Sequence, residues 1–338
     1  MSDTIEPVRR AGVRAASKGD FLLRLAHAGG LLLVIIILIL GASLLVPNFL
    51  SPFNQFTLSR NLGVDIVIGF GMMAVLGLGH MNLALGAIGA CAAMAVGFGL
   101  QTLGLPIPVA IAGAIAVGAM LGSLNGILVV RTGLDSFIIT LATASLYFGL
   151  MFILTKAEAF RELPVAFSAL GKGRIGSYST FLLIAAVVGA ILIVIFYFSE
   201  LGRQILATGA NRTAAELSGV PVNKVTIITH ALSGAIAAIA GVMVTARLAA
   251  ALPSIGEDWL LPSFLAPLLG GTLLAGGYVS VVGTALGAIL LSVLQNTLVL
   301  LNVSGFWIQF FLGLALLIAV GLDRWRVVQT QKRGMLGR

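Results

Sequence analysis

The sequence predicts an all-α integral membrane protein with about ten transmembrane helices. Three observations predict it. Of 338 residues, 59% are hydrophobic and 9% charged, whereas a soluble domain carries about 25% charged residues. The mean hydropathy is +1.10. The apolar residues also form continuous runs, such as LLLVIIILILGASLLV and FLLIAAVVGAILIVIFYF. A membrane β-barrel would instead alternate apolar and polar residues in segments of about ten, while about 20 apolar residues in a row cross a bilayer as a helix.

The spans read from these runs are 29–46, 61–79, 82–100, 106–130, 134–155, 179–198, 225–250, 262–275, 281–302 and 305–322. The eighth is short and broken by glycine, so it either crosses or re-enters. These limits divide the chain into an N-terminal segment 1–28, a membrane domain 29–322 with a long loop at 199–224, and a tail 323–338. The first apolar run is long enough to cross and follows a basic stretch, so it reads as a retained helix and not as a cleaved leader. Cys91 is the single cysteine, which excludes an intrachain disulfide and suits a small packing residue.

A net charge of +8 raises the question of nucleic acid. The placement of the charges answers it. With the N-terminus inside, the cytoplasmic stretches hold Arg9, Arg10, Arg14, Lys18, Arg24, Arg131, Arg203, Arg212, Lys224, Arg324, Arg326, Lys332, Arg333 and Arg338. Lys156, Arg161, Lys172, Arg174 and Arg247 fall outside, and Arg60 is ambiguous. That is the positive-inside asymmetry of a multi-pass protein, with both termini cytoplasmic and no nucleic-acid partner.

Glycine is abundant, at 42 residues. Gly118, Gly122 and Gly126 recur every fourth residue, as do Ser233, Ala237 and Gly241, and Gly283 with Gly287. Small residues at that spacing let helices approach closely. Two clusters differ. Gly77, Gly79, Gly86 and Gly89 surround His80 and Asn82, and Gly270, Gly271, Gly276 and Gly277 surround Thr272. Broken helices at membrane depth occur where the backbone lines a cavity or is buried in protein. Spans two to five and seven to ten also form two sets of four helices with opposite starting sides, the hydropathy pattern of an inverted repeat.

No GxxxxGK[ST] loop, HExxH, metal-ligand spacing or GxSxG elbow is present, so the chain reads as neither an ATPase nor an enzyme. The intramembrane ionisable residues are Asp65, His80, His230 and Arg247, few for an ion-coupled carrier, which normally buries paired carboxylates. In the 199–224 loop, Asn211 is placed to cap a short helix from Arg212, which Gly219 and Pro221 end. Such a helix is either a connector or a docking knob for a soluble partner.

From about residue 47 to 325 the chain resembles the permease family of sugar-type ABC importers, the group that contains the ribose permease. The segments that carry the resemblance occur in the family's order: NFLSPFNQF, GMMAVLGLGHMNLALG, SFIITLATASL, ATGANRTAAELSGVPVNKV, LLGGTLLAGGYVSVVGTALGA and FWIQFFLGLALLIAV. The resemblance implies a type II-like ABC permease fold in a bacterial inner (plasma) membrane. It implies a second permease subunit, identical or related, and a soluble solute-binding protein, periplasmic or lipid-anchored. It also implies a separate ABC ATPase that uses ATP and Mg, with no cofactor held by this chain. It makes 199–224 a coupling loop, with Asn211, Arg212, Ala214, Ala215, Glu216, Leu217 and Gly219 as the docking residues. The sequence departs from the family's G-G-I-D-L-S at His80, Asn82 and Ala84, and Asp65 stands where an apolar residue is expected, which points away from an ordinary pentose.

The expected function is the translocation pathway for a sugar or small polyol. The alternatives are a permease for a branched-chain amino acid or nucleoside, and an ion-coupled carrier or channel acting alone. Asp65, His80, Asn82, Thr140 and Thr143 are the candidate pathway residues. Each has a packing alternative: His80 as a satisfied core histidine, the threonines bonded to carbonyls one turn back, and Asp65 paired with Arg60 or a neighbouring helix. The topology is testable with Ser177→Cys and Ser218→Cys in a Cys91-free background. In intact cells an impermeant maleimide is expected to label position 177 and spare 218; the reverse pattern refutes the assigned sidedness.

Overall fold

A computed structural model describes residues 18–314, 316, 317 and 321, with side chains from residue 29. The remaining parts of segment 1–28 and the tail 323–338 lie outside the described residues. The helices are α1 (Lys18–Leu45), α2 (Pro52–Leu76), α3 (Leu85–Gln101), α4 (Ile107–Thr132), α5 (Ser136–Thr155), α6 (Val165–Leu170), α7 (Phe181–Ile193), α8 (Glu200–Ala210), α9 (Arg212–Leu217), α10 (Val222–Leu248), α11 (Leu260–Leu269), α12 (Val281–Leu300) and α13 (Gly305–Leu314 as described). Among the described residues the only sheet is the hairpin Arg174–Ile175 with Tyr178–Ser179, turned at Gly176, whose φ of +62° suits glycine. Helices α2, α4, α5, α10 and α12, and α7 with its π-helical end Val194–Phe198, are long and apolar enough to cross a membrane. The chain is therefore a multi-pass α-helical membrane protein.

Helix α2 is the axis of the fold. Within its most apolar stretch 72% of the residues are buried, against 22% for α4 and α5, whose Leu141, Leu146, Ile153 and Met120 form an exposed apolar surface. Around α2 pack α3, α7, α10, α11 and α12. It begins nine residues earlier than the apolar run suggests, because Pro52 suits a first helical turn and Ser51 caps it, accepting from the Asn54 N–H at 3.3 Å. Its first turns then bury polar residues. The Asn54 and Asn296 side-chain amides donate to each other at 3.0 and 2.9 Å, tying α2 to α12.

The small-residue stripes become contact surfaces. On α4, Gly118, Gly122 and Gly126 lie against Ile227, His230, Gly234 and Ala238 of α10; a Cβ on any of the three would collide with that helix. The other face of α10, with Ser233 and Gly241, meets Asn82 and Gly89. Gly283 and Gly287 of α12 back onto Gly270 and Ala266.

The eighth segment crosses in pieces. Helix α11 has ten residues, about 15 Å at 1.5 Å per residue, against about 30 Å of hydrocarbon. Irregular stretches on both sides complete the crossing. Ala251 pairs with Phe160 beside Gly97, near the C-terminal end of α3. Gly256 then reaches Gly86, Trp259 covers Gly89, Ala266 meets Gly69, and Gly276 abuts Gly79 past the far end of α2. In each half a long helix, α2 or α10, is thus followed by an irregular stretch and a shorter helix, and Gly256 of the later stretch touches Gly86 in the first turn of α3.

Two regions carry more structure than the sequence suggests. The 156–178 segment contains α6 and the hairpin, and the 199–224 loop contains α8 before α9. Helix α8 buries Gly202, Ile205 and Thr208 between charged residues, a pattern too short and too polar to read as an apolar run. The two loops lie at opposite ends of the bundle. Ser179 N donates to Ser59 Oγ at 2.8 Å in the first turns of α2, whereas Gly209 packs on Gly77 at the other end. The Gly seam is testable: Gly122→Leu is expected to lower stability in detergent by about 1–3 kcal/mol or more through overpacking. Gly113→Leu, with no atom within 4 Å of its Cβ position, is expected to melt like the parent protein.

Candidate functional site

The candidate pathway residues fall in two polar places: a buried hub where α2 breaks, and a cavity beside the middle of α2. The hub begins where Gly79, at φ +75°, ends α2. The Gly79 N–H donates to the Leu76 carbonyl at 2.8 Å and the His80 N–H to the Val75 carbonyl at 3.1 Å, so the terminal carbonyls keep partners. Residues 80–84 then lie outside the helices until α3 starts at Leu85, and the Met81 and Leu83 N–H groups have no helical partners. Side chains of α5 and α10 replace them. Ser136 Oγ accepts from Met81 N and Thr140 Oγ1 from Leu83 N, both at 3.0 Å. Asn82 Nδ2 donates to Ser233 Oγ at 2.9 Å, and His80 Nδ1 lies 3.3 Å from His230 Nε2.

Four of the five pathway candidates therefore sit in or beside this hub, and Asp65 does not. Asn82 and Thr140 are fully buried and Thr143 nearly so. Thr140 Oγ1 also donates to the Ser136 carbonyl at 2.7 Å, and Thr143 Oγ1 to the Thr140 carbonyl at 3.2 Å. The packing alternative for the threonines is thus present in the geometry, and Thr140 additionally braces the break. His80 meets His230 and not a carboxylate. The Oδ1 of Asn82 and the Nδ1 of His230 are buried without a hydrogen-bond partner among the described residues.

Asp65 lies three turns from the end of α2 and accepts from the Ser292 hydroxyl at 2.6 Å. Its partner is α12 and not Arg60, which lies over the Phe56 ring at 5.2 Å. Asp65 faces a cavity of about 420 Å³ bounded by α2, α10, α12, the start of α13 and residues 252–262. Arg247, Asp258, Trp259, Gln295 and Gln309 line it with Asp65. Arg247 Nη1 donates to Asn61 Oδ1 at 2.8 Å. The residues contributed by α2, α10 and α12 place this cavity toward the end of the bundle opposite α9. Apart from Asp65 and Arg247, its polar lining carries no signal in the sequence, because the loop and helix ends that supply it meet only in the fold.

At the other end, Asn211 Oδ1 accepts from the Ala214 N–H at 3.0 Å and caps α9. Arg212 reaches Glu216 at 3.3 Å and Asn223 at 3.2 Å. Leu217 is 86% exposed, whereas Ala215 is 5% exposed. Ala215 thus faces inward in the short helix. Gly219 takes φ +84° with open space around it, so a side chain there strains the turn and does not report on docking.

Broken helices meet around buried polar groups, with a polar cavity toward one end of the membrane domain and a capped short helix at the other. Residues 61–320 match the family described as the permease component of branched-chain amino acid transport systems, and the chain belongs to that family. A permease component is one part of a multi-component transport system. The chain is 34% identical over 300 residues to the ribose import permease protein of Escherichia coli (strain K12), covering 86% of this chain and 92% of that protein. It is 31% identical over 344 residues to the L-arabinose ABC transporter permease protein of Azospirillum brasilense, covering 99% of each. It is also 31% identical over 294 residues to the D-allose transport system permease protein of Escherichia coli (strain K12), covering 87% of this chain and 90% of that protein.

The hub's bracing is testable without transport. Thr140→Val keeps the shape but leaves the Leu83 N–H unpaired, a cost of about 1–3 kcal/mol. A lower melting temperature with unchanged helix content is expected. Thr143→Val, which removes a bond within one helix turn, is expected to have the smaller effect.

Proposed function

We propose that the chain is the transmembrane subunit of an ABC importer for a sugar or small polyol. The observation that carries this reading is similarity along nearly the whole chain to permeases named for ribose, L-arabinose and D-allose. The family's own description names branched-chain amino acids, so that solute class remains the second reading.

In this reading the chain sits in a bacterial inner membrane with both termini and α8–α9 in the cytoplasm. A second permease subunit completes the pathway, a soluble binding protein delivers the solute at the opposite face, and ATP with Mg is hydrolysed by a separate ATPase. The pathway subunit makes and breaks no covalent bond. It alternates access as the ATPases close and open. The hub supports this: its unpaired buried polar atoms cost about 1–3 kcal/mol each, so a shift of residues 77–84 against α10 that satisfies them starts from a small energetic difference. Asp65, His80 and Asn82 are read as the residues that shape passage.

Helix α9 supports a docking role. It is short and capped, and it presents Leu217 at 86% exposure, next in sequence to Glu216 of the Arg212–Glu216 pair. An exposed apolar side chain at the tip of a connector gains nothing in water, whereas inside a partner's cleft its burial contributes about 1.5–3 kcal/mol.

Uptake of labelled D-ribose, L-arabinose and D-allose by cells carrying the permease, the ATPase and the binding protein tests the reading. Sugar uptake that stops when the ATPase is removed is expected. Import of leucine in place of every sugar refutes the sugar assignment, and uptake without the ATPase refutes the ABC assignment. Leu217→Asp is expected to release the ATPase during co-purification and to cut uptake at least about tenfold, with the permease still inserted. Retention of both ATPase and uptake makes α9 a connector.

A further inference from the structure

The cavity beside α2 brings charged groups of both signs to one space within the membrane domain. Asp65 stands in it with Oδ2 held by Ser292 at 2.6 Å, and no described residue bonds its Oδ1. Arg247 is oriented by its 2.8 Å bond to Asn61. Asp258 is exposed, and Trp259, 6% exposed, contributes to the lining. Among the described residues no ion pair within 4.0 Å joins Asp65, Arg247 and Asp258. A purely structural pair closes to contact, because attraction between poorly solvated charges is steepest there. Here Asp65 is bonded to Ser292 and Arg247 to Asn61 instead, and both line a cavity of about 420 Å³, a volume within the range of small-molecule sites.

We propose that this cavity is a binding site, contained within one subunit, for a neutral polyhydroxylated solute of monosaccharide size, with Asp65 as its specificity-determining residue. The proposal rests on the reading of the chain as a sugar importer and assigns the place and chemistry of recognition. A carboxylate with one free oxygen accepts hydroxyl donors through charge-assisted bonds, which are the stronger kind. The Arg247 guanidinium, with donors beyond the one given to Asn61, supplies bonds to the solute's oxygens. The indole of Trp259 offers an apolar surface for a C–H face. Asp65 and Arg247 balance in formal charge, so the interior favours a neutral guest. Asp258, the exposed carboxylate, repels phosphorylated or carboxylated ones.

The test uses the full chain in lipid nanodiscs with Trp307→Phe and Trp325→Phe, which leave Trp259 as the sole indole. D-Ribose, L-arabinose, D-allose and D-ribose 5-phosphate are titrated at millimolar concentrations while Trp259 emission is followed. A saturable change with at least one neutral sugar and none with the phosphate is expected. Asp65→Asn, of the same shape, is expected to raise the apparent Kd about tenfold or more, as loss of a charge-assisted bond does. Asp258→Asn is expected to admit the phosphate. No saturable response to any neutral sugar, an unchanged Kd in Asp65→Asn, or equal binding of the phosphate overturns the proposal. Uptake by the complete wild-type transporter, measured in parallel, separates the two levels. Sugar uptake with a silent Trp259 overturns this site and leaves the importer reading standing, while uptake of none of the three sugars overturns both.

Discussion

The constraint on which the structure depends is that a backbone N–H or C=O at membrane depth must find a partner inside the protein. A continuous helix meets it automatically. This chain interrupts its helices at 77–84, 249–259 and 270–280, and each interruption leaves groups to be satisfied. At the first, Ser136 and Thr140 accept from Met81 and Leu83. At the second, Phe160 and Ala251 exchange backbone hydrogen bonds. At the third, Gly277 N donates to the Gly77 carbonyl at 3.0 Å and Ser280 N to Thr272 Oγ1 at 3.3 Å. The breaks persist because they are enclosed by protein and because hydroxyls and carbonyls have been brought to them.

That requirement explains why glycine and the hydroxyl residues are distributed as they are. For α5 to brace residues 81–83 and for Asn82 to reach Ser233, α3, α4 and α10 must pack with their backbones nearly touching. The seams at Gly118, Gly122, Gly234, Gly241 and Gly89 permit it. In lipid, where apolar side chains gain little by leaving their surroundings, close van der Waals contact and interhelical hydrogen bonds supply the association. The same close packing couples the parts: Gly77, Gly209 and Gly277 meet at one point, so the end of α8, which leads into α9, bears directly on the break that holds His80 and Asn82. A push on α9 therefore has a short mechanical route to the hub.

The two ends of the bundle divide the labour. The α9 end carries a capped short helix with an exposed apolar tip at Leu217, and the opposite end opens a charged cavity around Asp65. The hub lies between, buried and polar, at the place where two irregular stretches touch.

Sequence by itself determined the class of fold. Continuous apolar runs, a charge content of 9% and basic residues biased to one set of loops require helices in lipid, since the period of hydrophobicity and the bilayer thickness act on local sequence. Local chemistry also determined the α9 cap and the ends of most spans, and it singled out Asp65, whose charge is conspicuous in an apolar run. Tertiary structure decided the rest. That 262–275 crosses in pieces, that Ala215 points inward, that α8 forms within a polar loop, and that Thr140 braces Leu83 all depend on which elements meet. So does the composition of the cavity: Asn61, Arg247, Asp258, Trp259, Gln295 and Gln309 are unremarkable one at a time and become a site only when α2, α10, α12 and the 252–262 segment converge. Local sequence sets where a chain is apolar and where it is free to bend, whereas long-range packing sets which polar groups are brought face to face.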